Sequence, residues 1–257
     1  MYAGIDLGSR FVKIAILFDG KIEYKLYDTV EFYRKYVKRI DGELLIDPSF
    51  LPEMPERIVA TGYGRNLLNF KNIEVISEIK AHYRGALEQI DLDNFVLIDI
   101  GGQDSKVIVV RDRYIEDFVM NDKCAASSGR FIETAADILK IPVDQFGRHY
   151  ENPAKLSSTC SVFAESEIIS KIAEGYSLES IAAGVNDSIA RRILPLVKKY
   201  TKHSIYASGG VVRLSGVLHF LSIHLSKKVD VLKNPHYNGA LGCLAYSVGQ
   251  SLKAFHL

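Results

Sequence analysis

The 257-residue chain lacks a charge excess of either sign, because 32 lysines and arginines are balanced by 31 aspartates and glutamates. This balance argues against a protein that holds nucleic acid or another polyanion by bulk electrostatics. No apolar run approaches the roughly 18 residues that a membrane span needs. The N-terminus lacks the basic start and apolar stretch of a signal peptide. We therefore expect a cytoplasmic protein that binds neither nucleic acid nor membrane.

Cysteine is also scarce. The three cysteines, Cys124, Cys160 and Cys243, are too few and too far apart for a disulfide framework. In a reducing compartment such residues are buried thiols, catalytic groups or metal ligands. The chemistry of the chain must therefore be sought in its turns and in these three thiols.

The most informative feature that is present is an internal duplication. Residues 2–27 align without gaps with residues 95–120, and seven of the 26 positions are identical. Each copy combines apolar strands with an Asp-x-Gly turn, which predicts a β-meander whose first turn carries a carboxylate and a glycine. The copies begin two predicted lobes, residues 1–93 and 94–257. The last predicted helix, near 238–254, could return to the first lobe.

The two Asp-x-Gly turns have the composition of a nucleotide phosphate site. Glycine lets the backbone approach a ligand and direct its N–H groups at phosphate. A carboxylate at a strand end suits Mg²⁺ or its waters. One such turn is usually an ordinary hairpin, but two matched copies favour a pair that holds one nucleoside triphosphate. Neither the dinucleotide fingerprint nor a P-loop is present, so those folds are disfavoured.

The turns supply the candidate nucleotide-binding residues. The carboxylates of Asp6 and Asp99 are predicted to position Mg²⁺ and its waters. The segment Gly209-Gly210, after an apolar strand, is interpreted either as the adenosine end of the site or as a tight turn that needs positive φ. Backbone N–H groups predicted to bind phosphate belong to Gly8, Ser9, Gly101 and Gly102.

Two of the cysteines precede predicted helices. Cys124 lies shortly before a helix predicted over 129–140, and Cys160 lies immediately before one predicted over 161–174. A helix N-terminus favours the metal-binding thiolate, whereas Cys243 lies in an apolar run and is interpreted as core packing. Two thiolates are too few for an iron–sulfur cluster, but a two-fold dimer supplies four if the pair lies near its axis. Zinc would also need two more ligands.

Periodicity places the other elements coarsely. Helices are predicted over 30–39, 76–90 and 178–200, the last bent near Pro195. Residues 41–57 contain three prolines and are predicted to form a connecting loop.

Eight segments extend these observations over essentially the whole chain: GIDLGS (4–9), ATGYGR (60–65), IDIGGQD (98–104), MNDKCAA (120–126), GRF (129–131), SSTCSVFAESE (157–167), GGV (209–211) and YNGALG (237–242). With them the sequence resembles the ATP-dependent activators of 2-hydroxyacyl-CoA dehydratases, grouped with the ATPase subunits of benzoyl-CoA reductase. The cysteine segments are the specific part. The Asp-x-Gly turns occur throughout the superfamily of acetate and sugar kinases, heat-shock chaperones and actin.

The resemblance implies an α/β fold of two ribonuclease-H-like lobes, the actin-like ATPase fold, with mixed sheets flanked by helices. It implies a homodimer with one [4Fe–4S] cluster bridged by Cys124 and Cys160 of both subunits, and ATP or ADP with Mg²⁺ bound between the lobes. Members of the family pass a low-potential electron to a partner iron–sulfur dehydratase or reductase component, driven by ATP hydrolysis. Ferredoxin or flavodoxin would be the electron donor.

The resemblance also implies roles for further residues. Gln103 or Asp104 would orient the attacking water, and Gly129 would join the nucleotide-binding set. Family members usually carry Ser-Thr where this chain has Ser9-Arg10, so Arg10 either adds a charge-assisted phosphate contact or points outward.

Two lysines occupy matched positions in the duplicated copies. Lys13 and Lys106 follow the first and second turn, and Lys13 is included in the nucleotide-binding set. At least one of the two is interpreted as a solvated strand lysine.

Two other functions fit some of these observations. A small-molecule kinase of the same superfamily needs a substrate pocket and a catalytic base, and 257 residues leave little room for the subdomains that supply them. A nucleotide-dependent regulatory module without redox function would use the cysteines only for packing. The iron content of anaerobically purified protein separates both from an electron-transferring ATPase.

Overall fold

The computed structural model describes residues 1–40, 42–68, 72–121, 128–157 and 161–255. The chain divides into two compact units. Unit 1 comprises Met1–Leu92 and Leu232–Leu257, and unit 2 comprises Asp93–Val231. The first boundary lies next to the predicted one, and the C-terminal segment lies in unit 1, in agreement with a return of the last helix to the first lobe.

Unit 1 is built on a five-stranded mixed sheet. Its strands, in the spatial order β3-β2-β1-β6-β7, are β1 (Tyr2–Leu7), β2 (Phe11–Phe18), β3 (Lys21–Asp28), β6 (Arg57–Gly62) and β7 (Ile73–Val75). β1, β2 and β3 form the predicted antiparallel meander, whereas β6 runs parallel to β1 and β7 runs parallel to β6. The near-continuous burial of β1 is typical of a central strand that is covered on both faces.

Three helices and a hairpin complete unit 1. The helices are α1 (Thr29–Tyr36), α2 (Glu78–Gln89) and α8 (Asn238–Val248), and the hairpin consists of β4 (Val37–Ile40) and β5 (Glu43–Ile46). The prediction of a connecting loop over 41–57 is wrong for β5 and for the single turn Pro48–Phe50. The helix predicted over 30–39 ends earlier, at Tyr36, because the chain enters β4 there.

The C-terminal helix α8 belongs to unit 1 because glycines let it lie directly against β1 and α2. A Cβ on Gly4 of β1 would overlap the Ala240 carbonyl oxygen, and one on Gly242 of α8 would overlap the Ala81 carbonyl oxygen of α2. Backbones approach this closely only where a side chain is missing. The apolar residues of α8 are buried with those of β2, so the last segment completes the core of the first unit.

Unit 2 repeats the sheet of unit 1. Its strands, in the order β10-β9-β8-β11-β12, are β8 (Phe95–Ile100), β9 (Ser105–Arg111), β10 (Tyr114–Asn121), β11 (Ser204–Ser208) and β12 (Val229–Val231). The first three are antiparallel, β11 runs parallel to β8, and β12 runs parallel to β11. The duplication seen in the sequence therefore extends to the parallel strands, β6 in unit 1 and β11 in unit 2.

The helices of unit 2 are α3 (Gly129–Leu139), α4 (Val143–Phe146), α5 (Ser161–Ala173), α6 (Leu178–Val197) and α7 (Ser215–Leu225). Three of them, α3, α5 and α6, lie where periodicity predicts them, whereas α4 and α7 were not predicted. α6 contains Pro195 and gives way after Val197 to a single 3-10 turn. The two matching units confirm the predicted α/β fold of two ribonuclease-H-like lobes. No helix in the described ranges has both the length and the apolar character required to cross a bilayer.

Candidate active site

The first Asp-x-Gly turn, in unit 1, contains an ion pair that is largely shielded from solvent. Asp6 of β1 lies opposite Lys13 of β2 in the antiparallel register, and Lys13 Nζ is 3.1 Å from Asp6 Oδ2. Gly8 makes room for this pair, because a Cβ at its position would lie 2.9 Å from the lysine nitrogen. Only 17% of the Lys13 side chain is exposed, so the lysine is a partner of the catalytic candidate Asp6.

The same turn is fixed by the beginning of α1. The Thr29 hydroxyl donates to the Gly8 carbonyl oxygen at 2.8 Å. The Thr29 backbone N–H donates to the Arg10 carbonyl oxygen at 3.2 Å. The Arg10 guanidinium pairs with Asp28. The backbone N–H of Glu31, together with Arg10, holds the pKa of Asp28 below its ordinary value. In this conformation Arg10 is engaged by a helix-capping carboxylate.

The second Asp-x-Gly turn, in unit 2, uses its lysine differently. Asp99 and Lys106 also lie opposite each other, but their Oδ2 and Nζ atoms are 3.8 Å apart. Lys106 Nζ instead lies 2.6 Å from Asp104 Oδ2. The aligned residue in the first copy is Phe11, which offers no carboxylate. Lys106 is 2% exposed and the Lys13 side chain is 17% exposed, so the interpretation of at least one of these lysines as a solvated residue is wrong.

Asp99 has a second partner that the sequence pattern did not single out. The Ser208 hydroxyl, at the end of β11, donates to Asp99 Oδ1 at 2.7 Å. The strand register aligns Ser208 with Asp99, as it aligns Thr61 with Asp6 in unit 1. Thr61, however, donates to the Ile76 carbonyl oxygen at 3.0 Å. A serine or threonine followed by glycine at a strand end in each half was the signal available in the sequence.

The glycine after each of these hydroxyl residues is required by the backbone. Gly62 and Gly209 have φ angles of +94° and +95°, a conformation that favours glycine. A Cβ on Gly209 would also overlap the carbonyl oxygen of Ile100. This geometry supports the interpretation of Gly209-Gly210 as a tight turn and leaves its adenosine contact as a prediction.

Hydrogen bonds connect the second turn to the beginning of α3. The Gly101 N–H donates to the Asp104 carbonyl oxygen at 2.9 Å, which closes the turn. The N–H groups of Gly129 and Arg130 donate to the carbonyl oxygens of Gly101 and Gly102 at 2.9 and 2.8 Å. The Gly101 amide is therefore already engaged within the turn, which leaves the Gly102 amide as the better candidate phosphate donor there. Gln103, the candidate for water orientation, is exposed on this turn.

A further buried cluster beside Asp6 was not identified from the sequence. A Cβ on Gly239 would lie 3.1 Å from Asp6 Oδ2 and 3.2 Å from His82 Nε2. The Asn238 side-chain amide donates to the His82 carbonyl oxygen at 2.9 Å. All of these residues lie in the buried contact of α2 and α8 with β1, so only the return of α8 to unit 1 brings them together.

The two candidate metal ligands, Cys124 and Cys160, lie outside the described residues. α5 begins at Ser161, directly after Cys160, and α3 begins at Gly129, shortly after Cys124. Within the described part of the chain, no group of three or more His, Cys, Asp and Glu residues could hold a metal ion. Cys243 is fully buried in α8, and burial, followed by the Asp6 carboxylate, raises the pKa of its thiol well above the ordinary value. The interpretation of Cys243 as core packing is confirmed.

Several known proteins are similar to this chain over almost its whole length. The chain is 37% identical over 255 residues to the (R)-2-hydroxyglutaryl-CoA dehydratase activating ATPase of Acidaminococcus fermentans, covering 97% of this chain and 98% of that protein. It is 34% identical over 256 residues to the 2-hydroxyisocaproyl-CoA dehydratase activator of Clostridioides difficile, covering 96% and 95%. The solved structure of that activator from Clostridium difficile with bound ADPNP matches with a TM-score of 0.82 and 32% identity, covering 96% and 94%.

The model of the BadF/BadG/BcrA/BcrD ATPase family matches residues 3–247, which is nearly the whole chain. The resemblance inferred from the motifs is thus confirmed, and so is the actin-like ATPase fold. The protein is an ATP-binding and ATP-hydrolysing enzyme, and it belongs to the BadF/BadG/BcrA/BcrD ATPase family.

Proposed function

We propose that this ATPase drives the transfer of one electron from a dimer-bridging [4Fe–4S] cluster to a partner iron–sulfur protein, and that the partner is a 2-hydroxyacyl-CoA dehydratase. The observation that carries the proposal is a set of hydrogen bonds between the second Asp-x-Gly turn and the start of α3, the helix that follows Cys124. Curated relatives that match almost end to end are named as activators of such dehydratases. The activity belongs in a reducing cytoplasm, where a low-potential donor is available.

The charged groups of the two turns favour a Mg²⁺ site at the turn of unit 2. In unit 1 one carboxylate, Asp6, is paired with one ammonium, Lys13. In unit 2 two carboxylates, Asp99 and Asp104, both lie near the ammonium of Lys106, at 3.8 and 2.6 Å. Carboxylate oxygens are hard ligands that suit Mg²⁺, so this donor set fits the ion. We therefore assign Mg²⁺ and its waters to the turn of unit 2.

The remaining turn groups bind the nucleotide and orient water. Gly8, Ser9 and Gly102 offer backbone N–H groups to phosphate, and Gly209-Gly210 contacts the adenosine. The Asp104 carboxylate is held by Lys106, whereas Gln103 is exposed on the turn. Gln103 is therefore the better candidate for orienting the water that attacks the terminal phosphate, which leaves ADP and inorganic phosphate as products.

Cys124 and Cys160 of both subunits would hold the cluster. Four thiolates complete the usual ligand set, and a two-fold axis supplies two from each chain. A helix beginning directly after Cys160 favours the thiolate form. When bound, the cluster supplies one low-potential electron, which ferredoxin or flavodoxin replaces. Because the Gly101 and Gly102 carbonyl oxygens accept hydrogen bonds from α3, a movement of the phosphate turn displaces the start of that helix.

Coupling nucleotide binding to the reduction potential of the cluster requires only a modest free energy. A shift of about 60 mV in a one-electron couple corresponds to ~1.4 kcal/mol. Coupling free energies between two binding sites are typically about 1–3 kcal/mol. Exchange of ATP for ADP at the turns can thus supply the bias that sends the electron to the partner.

The ligand assignment is tested with anaerobically purified protein. Cys124→Ala and Cys160→Ala should each lose iron and the visible absorbance but still bind a non-hydrolysable ATP analogue. Cys243→Ala is the matched control and should retain the iron, because Cys243 is a buried packing residue. Iron retained in both ligand variants, or colourless and monomeric wild-type protein, contradicts the proposal.

The catalytic assignment and the partner are tested separately. Asp99→Asn should leave the iron in place and lower the rate of ATP hydrolysis by about 100-fold, the scale of losing one preorganised electrostatic group. Mixed with ATP, a reductant and a 2-hydroxyacyl-CoA dehydratase, the wild-type protein should restore dehydration and the variant should not. Formation of a phosphorylated small molecule instead would identify a kinase.

A further inference from the structure

We infer that Ser208 is a positioning residue for ATP hydrolysis, because its hydroxyl orients the Asp99 carboxylate. The inference rests on the proposed role of Asp99 toward Mg²⁺ and adds a residue to that site. The role belongs to one copy of the duplicated turn, because Thr61 at the matching position donates to a backbone carbonyl oxygen instead.

The geometry of Ser208 is that of an orienting group. Ser208 is the last residue of β11 and lies beside Asp99 of β8 in the parallel register. Its Oγ is 2.7 Å from Asp99 Oδ1, and its side chain is fully buried while Asp99 is 3% exposed. A hydroxyl has a single donor, and a hydrogen bond to a carboxylate is short and strong. The bond therefore restrains the rotation of the Asp99 carboxylate.

Lys106 does not perform this task. Its ammonium is 3.8 Å from Asp99 Oδ2, beyond hydrogen-bond distance, and it lies 2.6 Å from Asp104. Its contribution to Asp99 is electrostatic and has little directionality. Ser208, by contrast, gives Asp99 a directional hydrogen bond.

The first copy of the turn has the opposite arrangement. Thr61 occupies the same register position beside Asp6 and is also fully buried. Its hydroxyl donates to the Ile76 carbonyl oxygen, while the Ile76 N–H donates to the Ala60 carbonyl oxygen at 2.9 Å. Thr61 thus joins β6 to the segment before α2, and Asp6 is held by Lys13 instead. The chain itself supplies a matched control at the equivalent position.

A restrained carboxylate loses less freedom when it engages a cation or the waters around it. Loss of the Ser208 hydroxyl should therefore weaken the Mg²⁺-dependent part of nucleotide binding and turnover. The Mg²⁺-independent part, which depends on the backbone groups of the turns, should stay the same. This separation distinguishes a positioning role from general support of the fold.

The decisive comparison is Ser208→Thr against Ser208→Val in the full-length protein, because these two side chains have the same shape and only threonine carries the hydroxyl. Binding of a non-hydrolysable ATP analogue is measured by calorimetry with and without Mg²⁺, alongside the rate of ATP hydrolysis and the Mg²⁺ concentration for half-maximal rate. The valine variant should turn over roughly tenfold more slowly than the threonine variant. It should also need more Mg²⁺ and show a smaller gain in analogue affinity from the ion. Without Mg²⁺ the two affinities should be equal.

Thr61→Val serves as the control and should leave the Mg²⁺ dependence unchanged. Equal Mg²⁺ dependence in the two Ser208 variants overturns the inference, as does the same loss in Thr61→Val. If Asp99→Asn abolishes hydrolysis while the two Ser208 variants show the same Mg²⁺ dependence, only the role of Ser208 is rejected. If Asp99→Asn hydrolyses ATP like the wild type, the proposed role of Asp99 falls first.

Discussion

Lys13 Nζ lies 3.1 Å from Asp6 Oδ2, and both side chains are largely withdrawn from solvent. The ammonium of Lys13 and the carboxylate of Asp6 thus offset each other's charge at the first turn. In the second turn the lysine at the matching position is drawn to Asp104 instead. The two copies of the duplicated turn therefore pair their lysines with carboxylates at different positions.

Replacement of Lys13 by methionine should lower the free energy of unfolding by about 3 kcal/mol, because it leaves the Asp6 carboxylate buried without its ammonium. This is the lower end of the usual range for buried pairs, since part of Lys13 remains exposed. Urea unfolding measures the change. The double variant Lys13→Met/Asp6→Asn should recover part of the loss, and a strictly additive double variant would contradict the pairing.

Replacement of Asp104 by asparagine should weaken Mg²⁺-dependent binding of an ATP analogue by roughly tenfold, about 1.4 kcal/mol. The reason is that the substitution removes the charge of one of the two carboxylates that lie near Lys106 at the proposed Mg²⁺ site. Asp112→Asn, on an exposed turn of the same meander, is the control and should have little effect. Equal Mg²⁺ dependence in Asp104→Asn and the wild type would argue against the assignment of the ion to this turn.

Gly242→Ala should destabilise unit 1 by about 3 kcal/mol or more, because the new Cβ would overlap the Ala81 carbonyl oxygen and neither backbone can yield easily. Thermal unfolding measures the shift in Tm. Gly249→Asn, at the end of the same helix with φ +76° and open surroundings, is the matched control, since asparagine tolerates this conformation. A normal Tm for Gly242→Ala would mean that α8 does not lie against α2 as described.

Tyr24→Phe should stabilise the protein by about 1 kcal/mol at neutral pH, because within the described residues the buried Tyr24 hydroxyl has no hydrogen-bond partner. Burial raises the pKa of Tyr24 to about 12. Between pH 10 and pH 12 the unfolded chain releases this proton while the folded protein retains it, so stability falls as pH rises. The phenylalanine variant should show a smaller alkaline loss in urea unfolding measured across this range, and an identical loss would contradict the assignment.

Local pattern was sufficient for the meanders and for most helices, because alternation and helical periodicity are properties of short segments. It failed for β5, where three prolines between residues 41 and 57 suggested a loop although residues 43–46 pair with β4. It also failed for the lysines. Strand alternation shows on which face Lys106 lies but not that Asp104 fills the space beside it.

Taken alone, the sequence determined the duplication, the two Asp-x-Gly turns and the membership in an ATPase family, since these depend on residue identity and spacing. Only the tertiary structure decided that α8 completes unit 1, that Lys13 and Lys106 choose different carboxylates, and that Ser208 rather than Thr61 donates to an aspartate. The physical reason is that each of these outcomes depends on the register and closeness of strands and helices far apart in the chain. There a shift of one ångström changes the acceptor of a hydrogen bond.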